Sequence, residues 1–220
     1  MRTPCALPAH VLVSAVIVLA LGSTGCGHKM PPNPYHTAAA LGSVSELEKA
    51  RDSGANINGP GRSGNTALHI AAQNDNVEAI QWLVANGAEV NSRNSDKETP
   101  LHSAAYNNKP RAIVALIAAG ADINAVDEDQ RTPLHFAANR EWVDATKALV
   151  DKGANVNARD KNGRSPLWMA ADGNAPEIAE ILLQKGADPS LADKNGITPT
   201  QKAINDNNPA VIEKIKKYTR

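Results

Sequence analysis

A seven-residue pattern recurs in this chain at intervals of 33 residues, and this spacing constrains the fold more than any other feature. Copies of the form Thr-Pro-Leu-His-x-Ala-Ala begin at Thr66, Thr99 and Thr132, with alanine replacing the proline in the first. Weaker copies begin at Ser165, Thr198 and Asn33. A Gly-Ala pair keeps the same interval, and its glycines are Gly54, Gly87, Gly120, Gly153 and Gly186. One repeat of this length cannot bury its apolar face alone, so the chain is predicted to fold as a stack of units.

The third copy indicates what each unit contains. Thr99 is suited to cap a helix, and Pro100 to occupy its first position, where no amide donor is needed. Ala104 and Ala105 are small enough to let a neighbouring helix approach closely. A second helix is indicated by apolar residues at helical spacing, namely Ile113, Val114, Leu116 and Ile117. Gly120 is expected to end that helix in a left-handed conformation.

The 33-residue period, the Thr-Pro-Leu-His-x-Ala-Ala pattern and a second pattern, Gly-Ala-x-x-Asn-Ala, closely resemble the ankyrin repeat over about residues 33–218. The resemblance implies a mainly α solenoid of stacked helix-turn-helix units with β-hairpin loops. It implies about six units including degenerate caps, at residues 33–60, 61–93, 94–126, 127–159, 160–192 and 193–220.

The N-terminal residues have the three parts of a secretory signal. Arg2 precedes the apolar run VLVSAVIVLAL, which is followed by small residues and Cys26. Eleven residues are too few to span a membrane, which needs about 20. Residues 1–25 are therefore predicted to be a signal peptide. Small residues before a cysteine also resemble the lipobox of bacterial lipoproteins, where the thiol is acylated, although Ser23 stands where that family usually has leucine.

Cysteine usage favours lipidation of Cys26. Cys5 would leave with the signal, so Cys26 would be a single leftover thiol in an exported chain. Gly27 lacks the aspartate that retains many such lipoproteins in the inner membrane, so the resemblance implies a periplasmic, outer-membrane-anchored protein. Cleavage by the ordinary signal peptidase, giving a soluble periplasmic protein, is the alternative. Residues 26–34, which include three prolines, are expected to form an extended tether.

The charge balance argues against a nucleic-acid binder. The chain has 23 lysine and arginine residues against 23 acidic ones, whereas nucleic-acid binders usually have a basic surplus. The cationic residues at the C-terminus, which favour the negative pole of a helix dipole, are Lys214, Lys216, Lys217 and Arg220.

The repeated histidines do not form a metal site. His69, His102 and His135 belong to separate units, and stacked helices lie 8–10 Å apart, whereas zinc binds nitrogen at about 2.0–2.1 Å. In the ankyrin resemblance this histidine is structural, bonding within its own turn and to the next unit. No metal, cofactor or enzymatic activity is expected, because no catalytic motif is present. The acidic run from Asp127 to Asp129 is expected to be an exposed loop tip.

The resemblance implies a partner-binding concave face made of the loop tips and the exposed side of each first helix. Tyrosine and arginine most often anchor interfaces, and Trp142 stands where the family usually has a small polar residue or histidine, so these types lead the candidates. The candidate partner-binding residues are Arg62, Ser95, Asp96, Glu98, Tyr106, Asn107, Glu128, Asp129, Arg131, Asn139, Arg140, Trp142, Lys161 and Arg164.

The loop tips differ at one turn position. Gly64, Gly163 and Gly196 occupy it in three units, where a positive φ is easy for glycine. Lys97 and Gln130 hold it in the two central units. Those two tips either adopt another turn or accept local strain.

The functional expectation is a non-enzymatic binding module, monomeric when free and anchored by lipid in the bacterial envelope. It would hold a protein partner by shape and charge, without binding nucleic acid. Two uses remain open: immunity against a toxin delivered to the periplasm, and a scaffold for a periplasmic stress-defence enzyme. A toxin antidote should be encoded beside its toxin.

Overall fold

The computed structural model describes residues 33–218. The predicted signal peptide, the candidate lipidation site Cys26 and the tether up to residue 32 lie outside these residues. Pro34, the last residue assigned to the tether, is the first residue of helix α1, and the side chain of Asn33 caps that helix by accepting a hydrogen bond from the Tyr35 N–H.

Helices alternate with loops along the whole described range. Residues 33–218 contain twelve α-helices: α1 Pro34–Leu41, α2 Val44–Asp52, α3 Ala67–Gln73, α4 Val77–Ala85, α5 Pro100–Tyr106, α6 Pro110–Ala118, α7 Pro133–Asn139, α8 Val143–Asp151, α9 Pro166–Asp172, α10 Pro176–Gln184, α11 Pro199–Asn205 and α12 Pro209–Tyr218. A 3-10 turn covers Arg62–Gly64. Between residues 33 and 218 the loops reverse as hairpins without forming β-strands. The mainly α repeat fold is confirmed.

The helices form two layers. Odd-numbered helices pack on one another in series, and even-numbered helices do the same, while each odd helix packs on the even helix that follows it. The odd-numbered, first helices carry the repeated pattern, so every copy of that pattern lies in one layer. None of the helices between residues 33 and 218 is both long and apolar enough to cross a membrane.

Alanine and leucine make the core that joins these layers. Ala104 and Ala105 are fully buried, as is Leu101 one turn earlier, and the same positions are buried in the neighbouring units. The absence of larger side chains lets the first helices approach closely, while each buried leucine contributes roughly 1.5–3 kcal/mol. The predicted apolar stripe of α6 is only partly right, because Val114 is 40% exposed, whereas Ile113 and Leu116 are fully buried.

One asparagine in each of four units joins that unit to the next. The Asn58 side chain accepts a hydrogen bond from the Glu89 N–H at 2.9 Å and donates one to the Gly87 carbonyl at 3.2 Å. The same acceptor role recurs, 33 residues apart, at Asn91, Asn124 and Asn157. These bonds explain why the Gly-Ala-x-x-Asn pattern keeps the repeat interval.

Candidate functional site

A side-chain oxygen organises the loop tip in the third to sixth units. In the fourth unit, Oδ1 of Asp127 accepts hydrogen bonds from the N–H groups of Asp129 and Arg131, both at 2.8 Å. Asp127 is only 5% exposed, so the expectation that this acid lies on an exposed tip is wrong. Its carboxylate is buried because it satisfies the backbone donors of the turn.

Neighbouring tips are linked by backbone hydrogen bonds. The Glu128 N–H donates to the Asp96 carbonyl at 3.1 Å, and the Lys161 N–H donates to the Asp129 carbonyl at 2.8 Å. Lys97 and Gln130 adopt φ values of 60° and 59°, as glycine does in the flanking units. The central tips therefore keep the same turn and accept the strain of a left-handed non-glycine residue.

The repeated histidine is part of the scaffold. Nδ1 of His102 accepts a hydrogen bond from the Thr99 N–H at 3.1 Å, so Nε2 carries the proton that it donates to the Arg131 carbonyl at 3.0 Å. Burial lowers the pKa of His102 from 6.5 to about 4, which keeps the ring neutral. His69 and His135 make the corresponding bonds, which confirms the structural role that the resemblance implies.

Tryptophan replaces this histidine in the fifth unit without losing the bond to the next unit. The indole Nε1–H of Trp168 donates to the Ile197 carbonyl at 3.2 Å. Ser165 caps the same helix by accepting a hydrogen bond from the Trp168 N–H. The replacement of histidine by tryptophan is visible in the sequence, but the hydrogen bond that the indole retains was not predicted from it.

Three neighbouring depressions follow one another along the face made by the tips and the first helices. Tyr106 borders the first depression, of about 230 Å³, and also the second, of about 80 Å³. Arg164 borders the second and also the third, of about 470 Å³. We call the residues lining all three the first-helix strip. It contains these predicted site residues: Glu98, Tyr106, Asn107, Arg131, Asn139, Arg140 and Arg164.

Two of the predicted anchors are already bound within the fold. Nε and Nη2 of Arg131 lie 2.8 and 2.7 Å from Oδ2 of the buried Asp127, and the guanidinium lies 4.5 Å from the Phe136 ring centroid. Arg164 pairs in the same way with Asp160. Both arginines therefore hold their loops as well as line the strip.

Tyr106 and Arg140 form the most accessible cluster of the strip. The Arg140 guanidinium carbon lies 4.0 Å from the Tyr106 ring centroid, and that ring is 42% exposed. Phe136 supports the tyrosine from below, with the ring centroids 6.1 Å apart in an edge-to-face arrangement. Phe136 is not among the residues predicted from the sequence, although it is the only phenylalanine in the chain and shares a repeat position with Ser103 and Met169.

Glu98 lies in the first depression together with Tyr106. Its Oε2 accepts a hydrogen bond from the Asn94 amide at 3.1 Å, and no cation within residues 33–218 forms an ion pair with it. Partial burial raises the pKa of the Glu98 carboxyl above its usual range.

Trp142 precedes the first residue of α8 and lies outside the first-helix strip. Its Nε1–H donates to the Tyr106 carbonyl at 2.9 Å, which ties the fourth unit to the third, and its ring remains 38% exposed. Asn76 and Asn208, at the same repeat position, make similar bonds to backbone carbonyls of the preceding unit. The indole is thus bound into the stack and does not line the first-helix strip.

The remaining candidates lie on the tips. Arg62, Ser95, Asp96 and Glu128 are exposed. Lys161 forms an ion pair with Asp129, and this contact raises the pKa of the lysine and lowers that of the aspartate.

Within the part of the chain that the structure describes, no group of three or more histidine, cysteine or acidic residues is arranged to hold a metal ion.

Comparison with known proteins gives one family. A sequence profile described as ankyrin repeats matches the chain in three copies, over residues 14–94, 35–127 and 101–193. No curated protein shows significant similarity to the chain.

Proposed function

The chain belongs to the ankyrin repeat family, whose members generally mediate protein–protein interactions, and on this premise we propose that it holds a protein partner on the first-helix strip. The continuity of the strip supports this proposal most directly. Tyr106 and Arg164 each border two depressions, so a partner segment crossing the units meets one uninterrupted surface. Its centre exposes a tyrosine and an arginine, two residue types enriched in binding hot spots.

Binding on this surface requires little rearrangement. The tips are bonded to one another, and Arg131 and Arg164 are held by buried carboxylates. A surface fixed before binding loses less conformational freedom when it is occupied. The histidine rings use both nitrogens within the scaffold. The proposed role is therefore binding without chemistry on the partner.

We propose that the protein is located in the bacterial envelope. Residues 1–25 have the composition of a signal peptide, and Cys26 follows small residues as in a lipobox. Acylation of Cys26 would hold the repeats at the periplasmic surface of the outer membrane. There the module would neutralise a delivered toxin or support a stress-defence enzyme, and the identity of the captured partner distinguishes these uses.

A capture experiment tests partner binding. The full-length chain with a C-terminal affinity tag is expressed in its native organism, and bound envelope proteins are identified by mass spectrometry. A Tyr106→Ala, Arg140→Glu double variant should lose the partner. An Arg111→Glu variant should retain it, because Arg111 is exposed on α6, away from the strip. A partner retained by the double variant, with an unchanged circular dichroism spectrum, would refute the proposed surface.

Cys26→Ser tests the anchor. The parent chain should incorporate labelled palmitate and sediment with membranes, whereas the variant should lose both properties. A parent chain that is unlabelled and recovered in the soluble periplasm would favour ordinary signal-peptidase cleavage.

A further inference from the structure

Units three and four depart from the rest of the array at positions that meet on the first-helix strip. Tyr106 stands where the other units have small or polar residues, namely Gln73, Asn139, Asp172 and Asn205. Arg140 stands where the other units have Asn74, Asn107, Gly173 and Asp206. Comparison of the repeats with one another thus shows that the scaffold they share does not require Tyr106 or Arg140.

Glu98 is a third departure, and it reverses a charge. The following two units place Arg131 and Arg164 at this position, where each neutralises the buried aspartate of its own loop. In the third unit, Asn94 replaces that aspartate, and its amide already keeps the turn through hydrogen bonds from the Asp96 and Glu98 N–H groups. The loop therefore needs no charge at Glu98, yet it carries a carboxylate with which no described cation forms an ion pair.

Arg140 is the opposite case. Its guanidinium stacks on Tyr106, but among the described residues no carboxylate forms an ion pair with it. The remaining guanidinium donors are exposed at the edge of the second depression. Arginine can bind a carboxylate through two parallel N–H donors while its plane stays stacked on an aromatic ring.

Tyr106 connects the two charges. It borders the first depression together with Glu98 and the second together with Arg140. The strip therefore presents, in order, a negative charge without an ion-pair partner, an exposed aromatic ring and a positive charge without an ion-pair partner among the described residues. Opposite charges on either side of an apolar group favour partners with the complementary order and disfavour those with a single charge type.

We propose that the strip selects a partner segment carrying a cationic side chain that pairs with Glu98, an apolar side chain over Tyr106 and a carboxylate that pairs with Arg140. This inference rests on the proposed function and adds the chemistry of the partner. A nucleic acid fits poorly, because phosphates would meet Glu98 and the neighbouring exposed acids Asp96 and Glu128.

The two charges lie at opposite ends of the first helices in adjacent units. A seven-residue helix rises about 10 Å and adjacent helices lie 8–10 Å apart, so the charges are on the order of 15 Å apart. An extended segment covers that distance in about five residues, at about 3.3 Å per residue.

A peptide panel tests the selection. Three fluorescent 12-residue peptides share a central leucine and carry, at positions about five residues apart, lysine and glutamate, two lysines, or two glutamates. Their dissociation constants for the full-length chain are measured by fluorescence anisotropy at low ionic strength. The mixed-charge peptide should bind about tenfold more tightly than either single-charge peptide, a difference equivalent to about 1.4 kcal/mol.

Charge reversal should switch the preference in a predictable direction. Glu98→Arg makes the strip doubly basic, so the two-glutamate peptide should become the tightest ligand. Arg140→Glu makes it doubly acidic, so the two-lysine peptide should do so. Arg111→Glu carries the same change in charge outside the strip and should leave the parent preference intact. Equal affinities for the three peptides, or a preference that neither reversal changes, would overturn the selection rule.

Two further outcomes separate this inference from the proposed function. If the peptides show no preference but the captured partner is still lost with the Tyr106→Ala, Arg140→Glu variant, the surface stands and only the charge rule fails. If sedimentation of the parent chain shows a dimer that either charge reversal abolishes, the strip is occupied by a second copy of this chain, and the inferred partner segment is wrong.

Discussion

The guanidinium of Arg140 lies 4.0 Å from the ring centroid of Tyr106, a residue of the preceding unit. This contact crosses the boundary between α5 and α7 and involves two side chains that the scaffold does not require. An exposed cation–π pair contributes about 0.5–1 kcal/mol. A double-mutant cycle of Tyr106→Leu and Arg140→Met should therefore give a coupling energy in the free energy of unfolding of about 0.5–1 kcal/mol. Additive effects in urea denaturation would show that the contact is not maintained in solution.

Stability should fall when the pH drops below about 6.5. Burial lowers the folded-state pKa of His69, His102 and His135, while the unfolded chain keeps values near 6.5. Their contribution is therefore fully present above the unfolded pKa and is lost as the pH falls. For His102, with a folded pKa of about 4, the loss between pH 6.5 and pH 4 is on the order of 3 kcal/mol.

Thermal melts at intervals between pH 8 and pH 4.5 measure this effect. A His102→Gln variant should be less stable at pH 8 but should lose less further stability on acidification. An unchanged melting temperature between pH 7.5 and pH 5 would contradict the assignment of neutral, buried rings.

Replacing Thr146 by valine should stabilise the folded chain. Its hydroxyl is buried in α8 and has no hydrogen-bond partner in the structure, whereas Ile80 and Ile113 occupy the same register in α4 and α6. A buried polar group without a partner costs about 1–3 kcal/mol. Thr146→Val should therefore raise the free energy of unfolding by about 1 kcal/mol, measured by urea denaturation. Thr146→Ser is the matched control, because it keeps the hydroxyl, and it should not stabilise the chain.

Two variants of Asp127 separate its role as the ion-pair partner of Arg131 from its role as a hydrogen-bond acceptor in the turn. Asp127→Asn removes the charge that pairs with Arg131 but keeps the turn acceptor, as Asn94 does naturally in the preceding unit. It should cost roughly 1 kcal/mol, since Arg131 is partly exposed and can be solvated. Asp127→Ala also leaves two backbone donors without their acceptor and should cost roughly 2–3 kcal/mol. Equal losses in chemical denaturation would mean that the ion pair, not the turn, dominates.

Sequence periodicity predicted the scaffold because the same physical requirement recurs in every unit. The helix starts at Pro100 and Pro133, the buried alanines and the left-handed glycine at Gly120 all follow from local rules. The structural role of His102 also came from its pattern. These features are repeated, so a correct prediction for one unit applies to the other units of the array.

The surface was less predictable because it depends on contacts between units. Arg131 and Arg164 resemble free anchors in the sequence, but each is paired with an aspartate four residues earlier. The i, i+4 spacing is visible, yet only the turn geometry shows that Asp127 is buried. Likewise, Trp142 is of a residue type that often anchors interfaces, but its indole N–H donates a hydrogen bond to the Tyr106 carbonyl.

The asparagine bonds between units have a consequence for how such a chain can change in length. The same hydrogen bond recurs at four boundaries between units, where an asparagine side chain accepts from a backbone N–H of the next unit: Asn58, Asn91, Asn124 and Asn157. These boundaries, or joints, are therefore interchangeable. A copy of the second unit, which has Gln73 and Asn74 at the positions of Tyr106 and Arg140, could be inserted between the third and fourth units with every such bond restored. The same insertion would carry Tyr106 away from Arg140. The scaffold is therefore modular, whereas the surface it displays has a fixed address at a single joint.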